Sequence, residues 1–145
     1  PSLTGSLGHG LPVALGLARG KPNSNVFVLL SDGEMNEGSN YEAIQLAGEL
    51  KLSNLHMIVD CNGYQGYRKV PPTKVRYSNI NELSIKPEEL DLALLDSYQL
   101  TQPSLIYVKT KKVMFPTDES NLDSHYKKLT VTDYHRYLAN QQGNK

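Results

Sequence analysis

Two short polar segments hold the residue types best suited to chemistry. Asp32-Gly33 opens the run Ser31-Asp32-Gly33-Glu34-Met35-Asn36-Glu37-Gly38, and Asn62-Gly63 opens another, 30 residues further on. A carboxylate and an amide oxygen are hard ligands, suited to a Mg²⁺ ion that keeps phosphate oxygens in its remaining positions. Gly33 lets the backbone come close to a phosphate, and the amino end of a following helix favours an anion. Taken alone, each pair is also the signature of an ordinary turn. The chemistry therefore depends on what the flanking elements do with them.

Those elements read clearly. Asn25 to Leu30 and Leu55 to Asp60 are apolar runs bounded by turn residues, the pattern of strands buried on both faces of a parallel sheet. Between them, Ser39 or Asn40 can cap a helix running to about Leu52, with Ile44, Leu46, Ala47 and Leu50 as its apolar positions. Strand, loop, helix, strand is a βαβ unit, whose crossover sets the two strands side by side. Ligands of open α/β sheets bind at the carboxyl ends of strands, which is where Asp32 and Asn62 fall. The arrangement predicts a magnesium–diphosphate site, with the two strands as parallel neighbours near the centre of the sheet.

The remaining elements extend the same pattern. Leu11 to Arg19 suits a short buried helix, with Pro12 tolerated in its first turn. Residues 61 to about 76 read as loop. Lys86-Pro87-Glu88-Glu89 starts a helix reaching Leu95, Ser104 to Lys109 is a third strand, and a terminal helix runs from about Thr132 to Asn140. The fold class expected is α/β, a parallel sheet with helices on both faces. Residues 1–145 form a single partial domain, whose 111–145 portion is a polar segment and terminal helix. Because a glycine-rich turn normally follows a strand and none precedes Gly5, the expectation is truncation at the amino end: a fragment, or one part of a split enzyme.

Composition excludes several function classes. Fifteen basic and fifteen acidic residues balance, so no overall field draws the chain to nucleic acid or an anionic membrane. No apolar run approaches the roughly 18 residues of a membrane span. Cys61, the single cysteine, cannot form an internal disulfide, which fits a reducing, cytoplasmic compartment.

The wider string adds a resemblance. Asp32-Gly33-Glu34, Glu37-Gly38, Glu42-Ala43, Ala47, Lys51-Leu52, Asn54-Leu55 and Asp60-x-Asn62 together resemble the thiamine diphosphate motif of transketolases. Gly5-Ser6-Leu7-Gly8-His9-Gly10 resembles the family's other cofactor loop. Pro103-Ser104-Leu105-Ile106, Lys109-Thr110 and Ser124-His125 through Leu129 are similar to the rest of its diphosphate-binding domain.

The resemblance implies thiamine diphosphate and Mg²⁺ as cofactors. Asp32 and Asn62 would be side-chain magnesium ligands, with the backbone carbonyl of Tyr64 as a third. Gly33 would hold the diphosphate through its N–H, Glu34 belongs to the same cofactor loop, and Gly5 and Leu7 match positions touching the thiamine portion. Glu37 matches an acid linking paired active sites, and His125 a histidine near diphosphate and substrate. The reaction implied is transfer of a two-carbon ketol unit from a ketose to an aldehyde acceptor. The partner implied is a pyrimidine-binding domain or carboxy-terminal transketolase subunit, whose glutamate activates the cofactor, in an oligomer.

Plainer roles stand beside these. Glu37 could simply favour the positive end of the following helix. His125 and His9 could be loop residues, His56 and Cys61 structural, His135 solvated, and Tyr64, Tyr67 and Tyr77 ordinary surface packing. Ser31 stands where the family usually has glycine, tolerable if that backbone is not at positive φ. Tyr64-Gln65-Gly66-Tyr67-Arg68 departs from the family's common sequence, and the family's early segment with its substrate-binding histidine is absent. Two other readings remain: a thiamine-dependent 2-oxoacid dehydrogenase or decarboxylase subunit, which more often shows paired asparagines, and a non-catalytic remnant or interaction module. A plain dinucleotide domain fits less well, because no Gly-x-Gly-x-x-Gly follows a strand.

Overall fold

The computed structural model describes residues 5–65, 68–70, 77–112, 128 and 130–142. Helix α1 spans Gly10–Gly20, and strand β1 spans Val26–Ser31. A 3-10 turn at Glu34–Asn36 leads into α2, Gly38–Glu49, and then β2, Leu55–Cys61. The segment expected to be loop carries two short strands, β3 (Tyr64–Gln65) and β4 (Arg68–Lys69), paired antiparallel. Then come β5 (Asn81–Ile85), α3 (Leu90–Ser97), β6 (Ser104–Lys109) and α4 (Val131–Gln142).

The main sheet runs in the order β1-β2-β6-β5, with every neighbouring pair parallel. Helices lie on both faces, as expected for α/β. On one face, Leu11, Ala14 and Ala18 of α1 and Ala43, Ile44 and Ala47 of α2 pack on Val28, Leu30, Met57, Val59 and Leu105. On the other, Ala93 of α3 packs on Ile85, Ile106 and Val108, with Ile58, Leu90 and Leu94 around them. The alternation of side chains along each strand assigns neighbouring residues to opposite cores.

Two expectations need correcting. The first strand is not buried on both faces: Val28 and Leu30 are buried, whereas Phe27 and Leu29 are exposed, Leu29 to 72%. Nor is it near the centre: among the described residues β1 is an edge, and of the two strands that carry the site β2 alone is interior, beside β6. The physical reason is coverage, because α3 reaches β6 and β5 but leaves the outward side chains of β1 open.

The connections are closed by side chains. Asn54 Nδ2 lies 3.1, 3.1 and 2.9 Å from the carbonyls of Ala18, Lys21 and Ser24, tying the end of α1 and its loop to the start of β2. Helix α2 stops at Glu49, three residues before Leu52, where Lys51 takes a left-handed φ of 52° and the Leu52 N–H returns to the Ala47 carbonyl at 3.1 Å. Among the described residues, no helix is long and apolar enough to cross a membrane.

Candidate functional site

The parallel register of β1 and β2 ends at Ser31 opposite Asp60, and the Asp32 N–H extends it by donating to the Asp60 carbonyl at 3.1 Å. Both chain segments then leave the sheet at the same edge. Asp32 is buried, 8% exposed, and its Oδ2 accepts the Gly63 N–H at 2.6 Å. Its Oδ1 is buried without a hydrogen-bond partner among the described residues. Burial pushes the Asp32 carboxyl above its ordinary 3.8; N–H groups of Gly63 and Gly33 pull the other way, and the nearby Asp60 charge adds to the rise.

Asn62 completes the second loop. Its Oδ1 accepts the Tyr64 N–H at 3.0 Å, and its Nδ2 donates to Asp60 Oδ2 at 3.3 Å. The Thr110 hydroxyl donates to Asp60 Oδ1, and the Thr110 N–H donates to the Cys61 carbonyl at 3.2 Å, so the end of β6 joins the same edge. Lys112 Nζ sits 5.1 Å from the centroid of the Tyr64 ring. Gly33 has no room for a side chain: a Cβ there would lie 2.5 Å from Gln65 Cβ and 3.7 Å from the Tyr64 carbonyl oxygen. The two loops therefore close on each other at Gly33.

The glycine-rich turn is fastened to the start of α2. Gly8, at φ +80°, donates its N–H to Glu34 Oε1 at 2.9 Å, and its carbonyl accepts the Ser39 hydroxyl at 2.7 Å. A Cβ at Gly8 would lie 2.7 Å from Glu37 Cβ, so only glycine suits both the backbone and the space. Gly5 and Leu7 are exposed on this turn. Glu37 is half-buried at the N-cap of α2 and makes no side-chain capping bond.

The structure thus brings Asp32, Gly33, Asn62 and Tyr64 together at the carboxyl edge, with Glu34 joining the glycine turn to them. His125 and Tyr67 lie outside the described residues. Ser31 is in β1 and not at positive φ, so the departure from glycine there is accommodated. The Cys61 thiol is pushed up to about 11, by burial first and then by Asp32 and Asp60, which keeps it protonated and unreactive. Sequence reasoning assigned no role to Asp60, Thr110, Asn36 or Gln65. Thr110 was open to discovery, because it follows β6 just as Asp32 follows β1.

Among the described residues, no group of three or more His, Cys, Asp or Glu side chains could hold a metal. The donors at this edge are one carboxylate with an unpaired oxygen, an amide and a peptide carbonyl. Such a set fits Mg²⁺ whose shell is completed by a ligand's oxygens, and does not fit a soft-metal cage.

Comparison with known proteins identifies the family of the domain. Residues 2–134 match the family described as transketolase, thiamine diphosphate binding domain. An apulose-4-phosphate transketolase component from Actinobacillus succinogenes is 52% identical over 66 residues, 43% of this chain and 24% of that protein. A protein named ferredoxin fas2 from Rhodococcoides fascians is 53% identical over 64 residues, 41% of this chain and 21% of its own length. Among solved structures, transketolase from Campylobacter jejuni superposes with a TM-score of 0.67 at 31% identity, covering 74% of this chain and 20% of that one. The matched part therefore spans about a fifth to a quarter of these relatives.

Proposed function

The chain belongs to the transketolase thiamine diphosphate-binding domain family, and on that footing we propose that it holds the magnesium–diphosphate end of the cofactor for ketol transfer. The observation that carries this reading is Asp32: a buried carboxylate with one oxygen on the Gly63 N–H and the other without a partner among the described residues, where two parallel strands end. A buried acceptor left unpaired is costly, and a divalent cation would answer it. Asn62 and the Tyr64 carbonyl are the remaining protein ligands of the proposal, with Gly33 as the diphosphate contact.

When bound, thiamine diphosphate would supply the chemistry of moving a two-carbon unit from a ketose to an aldehyde, and Asp32, Asn62, the Tyr64 carbonyl and Gly33 would hold its diphosphate end. The residues of this chain bind and orient. Asp60, held by Asn62 and Thr110, keeps the Asn62 amide in place, and the Gly8–Glu34 and Gly8–Ser39 bonds hold the glycine turn beside the metal loop. Gly5 and Leu7, exposed on that turn, are proposed to meet the thiamine portion. Glu37 is proposed to link paired active sites, and His125 to approach diphosphate and substrate.

The reading treats residues 1–145 as a single partial domain, with 111–145 its polar segment and terminal helix, in a cytoplasmic oligomer. The activating acid would come from a pyrimidine-binding partner. Support for a two-chain arrangement comes from relatives in two organisms, Actinobacillus succinogenes and Phocaeicola vulgatus, whose names make each of them one of the subunits of a transketolase.

Calorimetry of thiamine diphosphate binding, in magnesium and in chelator, tests the proposal. Wild type should bind only with magnesium, and Asp32→Ala should abolish that binding while the far-ultraviolet spectrum stays unchanged, because Asp32 lies in a loop. Equal affinity in wild type and variant would refute the metal assignment.

A further inference from the structure

Gln65 follows Tyr64 in β3, and its side chain turns to the loop of Asp32 and Gly33. Its Cβ lies against Gly33, where an added Cβ would come within 2.5 Å. Its Oε1 accepts from Asn36 Nδ2 at 3.3 Å, and the same Nδ2 lies 3.5 Å from the carbonyls of both Asp32 and Gly33. The Gln65 amide therefore sits beside the Asp32–Gly33 peptide. Its Nε2 is buried and, among the described residues, donates to nothing.

Two facing loops thus hold two buried polar atoms of opposite sense, each without a partner among the described residues: the acceptor Asp32 Oδ1 and the donor Gln65 Nε2. They do not satisfy each other. Buried polar groups in native proteins are nearly always paired, so a ligand able to answer both is the economical explanation. No simple ion qualifies, since a cation answers only the carboxylate and an anion only the amide. A cation carried on a phosphate answers both.

We infer that Gln65 is a diphosphate-binding residue, its Nε2 donating to a phosphate oxygen of the magnesium-bound cofactor while Asn36 fixes its amide. This rests on the functional reading above and adds to it a side chain that discriminates phosphate. The Asn36 contact determines which end of the amide is presented, because Oε1 is taken by an N–H donor and Nε2 is left for an acceptor.

Affinity for thiamine diphosphate in saturating magnesium, affinity for Mn²⁺ alone by electron paramagnetic resonance, and urea midpoint should be measured for wild type, Gln65→Met and Gln65→Glu. A hydrogen bond to a charged phosphate predicts that Gln65→Met weakens cofactor binding on the order of tenfold. Mn²⁺ affinity should not change, and the urea midpoint should hold or rise, since an unpaired buried amide has been removed. Gln65→Glu keeps the acceptor for Asn36 but opposes the phosphate, so it should bind more weakly still; it decides the matter alone if Gln65→Met does not fold. Normal cofactor affinity in the variants, with binding still lost in Asp32→Ala, would overturn this inference and leave the metal assignment standing. A parallel fall in Mn²⁺ affinity would also overturn it, by showing that Gln65 acts through Asp32. A wild type without magnesium-dependent binding would remove both.

Discussion

Gly33 illustrates how one residue serves backbone and site together. Its φ of −63° is ordinary, so its lack of a side chain matters for space and not for conformation. Alanine there would set a Cβ 2.5 Å from Gln65 Cβ and 3.0 Å from its Cα, and backbone cannot yield as a flexible side chain does. Overpacking of this kind costs about 1–3 kcal/mol. Gly33→Ala is therefore expected to lower the urea-unfolding stability by about that amount, and to weaken magnesium-dependent cofactor binding by parting the loops. Unchanged stability would mean that the loops are not packed as described. At this scale the sequence was informative for Asp32, Gly33, Asn62 and Tyr64, because residue type and spacing at strand ends carry the signal. Gln65 and Asn36 carried none: an amide in a polar loop looks solvated until the fold buries it.

At the scale of elements, the amino-terminal end of the sheet is pinned through His56, which is fully buried. The Asn25 side-chain carbonyl lies 3.3 Å from Nε2 and can only accept, so Nε2 carries the proton. Nδ1 then accepts the Ser104 hydroxyl at 3.0 Å, while Ser97, also 3.0 Å away, donates to the Leu94 carbonyl at 2.7 Å. Phe27 stacks on the ring at 4.9 Å and Tyr98 meets it edge-on at 5.4 Å, so β1, β2, β6 and the end of α3 share one neutral imidazole. Burial lowers its pKa from the ordinary 6.5. The unfolded chain then binds this proton more readily, so stability is fully present above 6.5 and is lost as pH falls from there towards the folded value. The urea midpoint should drop between about pH 7.5 and about pH 5, and His56→Gln should flatten that slope; an equal slope in both proteins would exonerate His56.

The plain structural role expected for His56 fits this geometry, and β1, β2, β6, α1 and α2 were all readable from apolar runs and helical spacing. Strand β5 was not. Asn81-Glu82-Leu83-Ser84-Ile85 offers two apolar residues in alternation on an edge, a signal too weak to separate from loop. The two-residue strands β3 and β4 are equally silent, since they exist by pairing with each other.

For the whole molecule, the consequential feature is the apolar surface left open on the α3 side of the sheet. Phe27 and Leu29 stand uncovered on β1, the Phe27 ring meets that of Tyr98 at a centroid distance of 6.1 Å, and Leu92 and Leu95 of α3 are 68% and 59% exposed. Contiguous exposed apolar surface commonly marks a binding surface. In the function proposed above, this chain would hold the metal and diphosphate, and the acid for the aminopyrimidine would come from a partner chain. The 145-residue chain is therefore expected to self-associate in analytical ultracentrifugation, and Leu29→Glu to reduce that association by placing a charge where Leu29 is 72% exposed. It is also expected to show no ketol transfer alone, and to gain cofactor affinity when a pyrimidine-binding chain is added. Two anchors on one ligand lose less to the ordering of loops than one anchor does. The decisive measurement is a coupled assay with a ketose donor and aldehyde acceptor, run with and without a candidate partner. Turnover by the chain alone would locate the activating acid within these 145 residues and remove the reason for a second polypeptide.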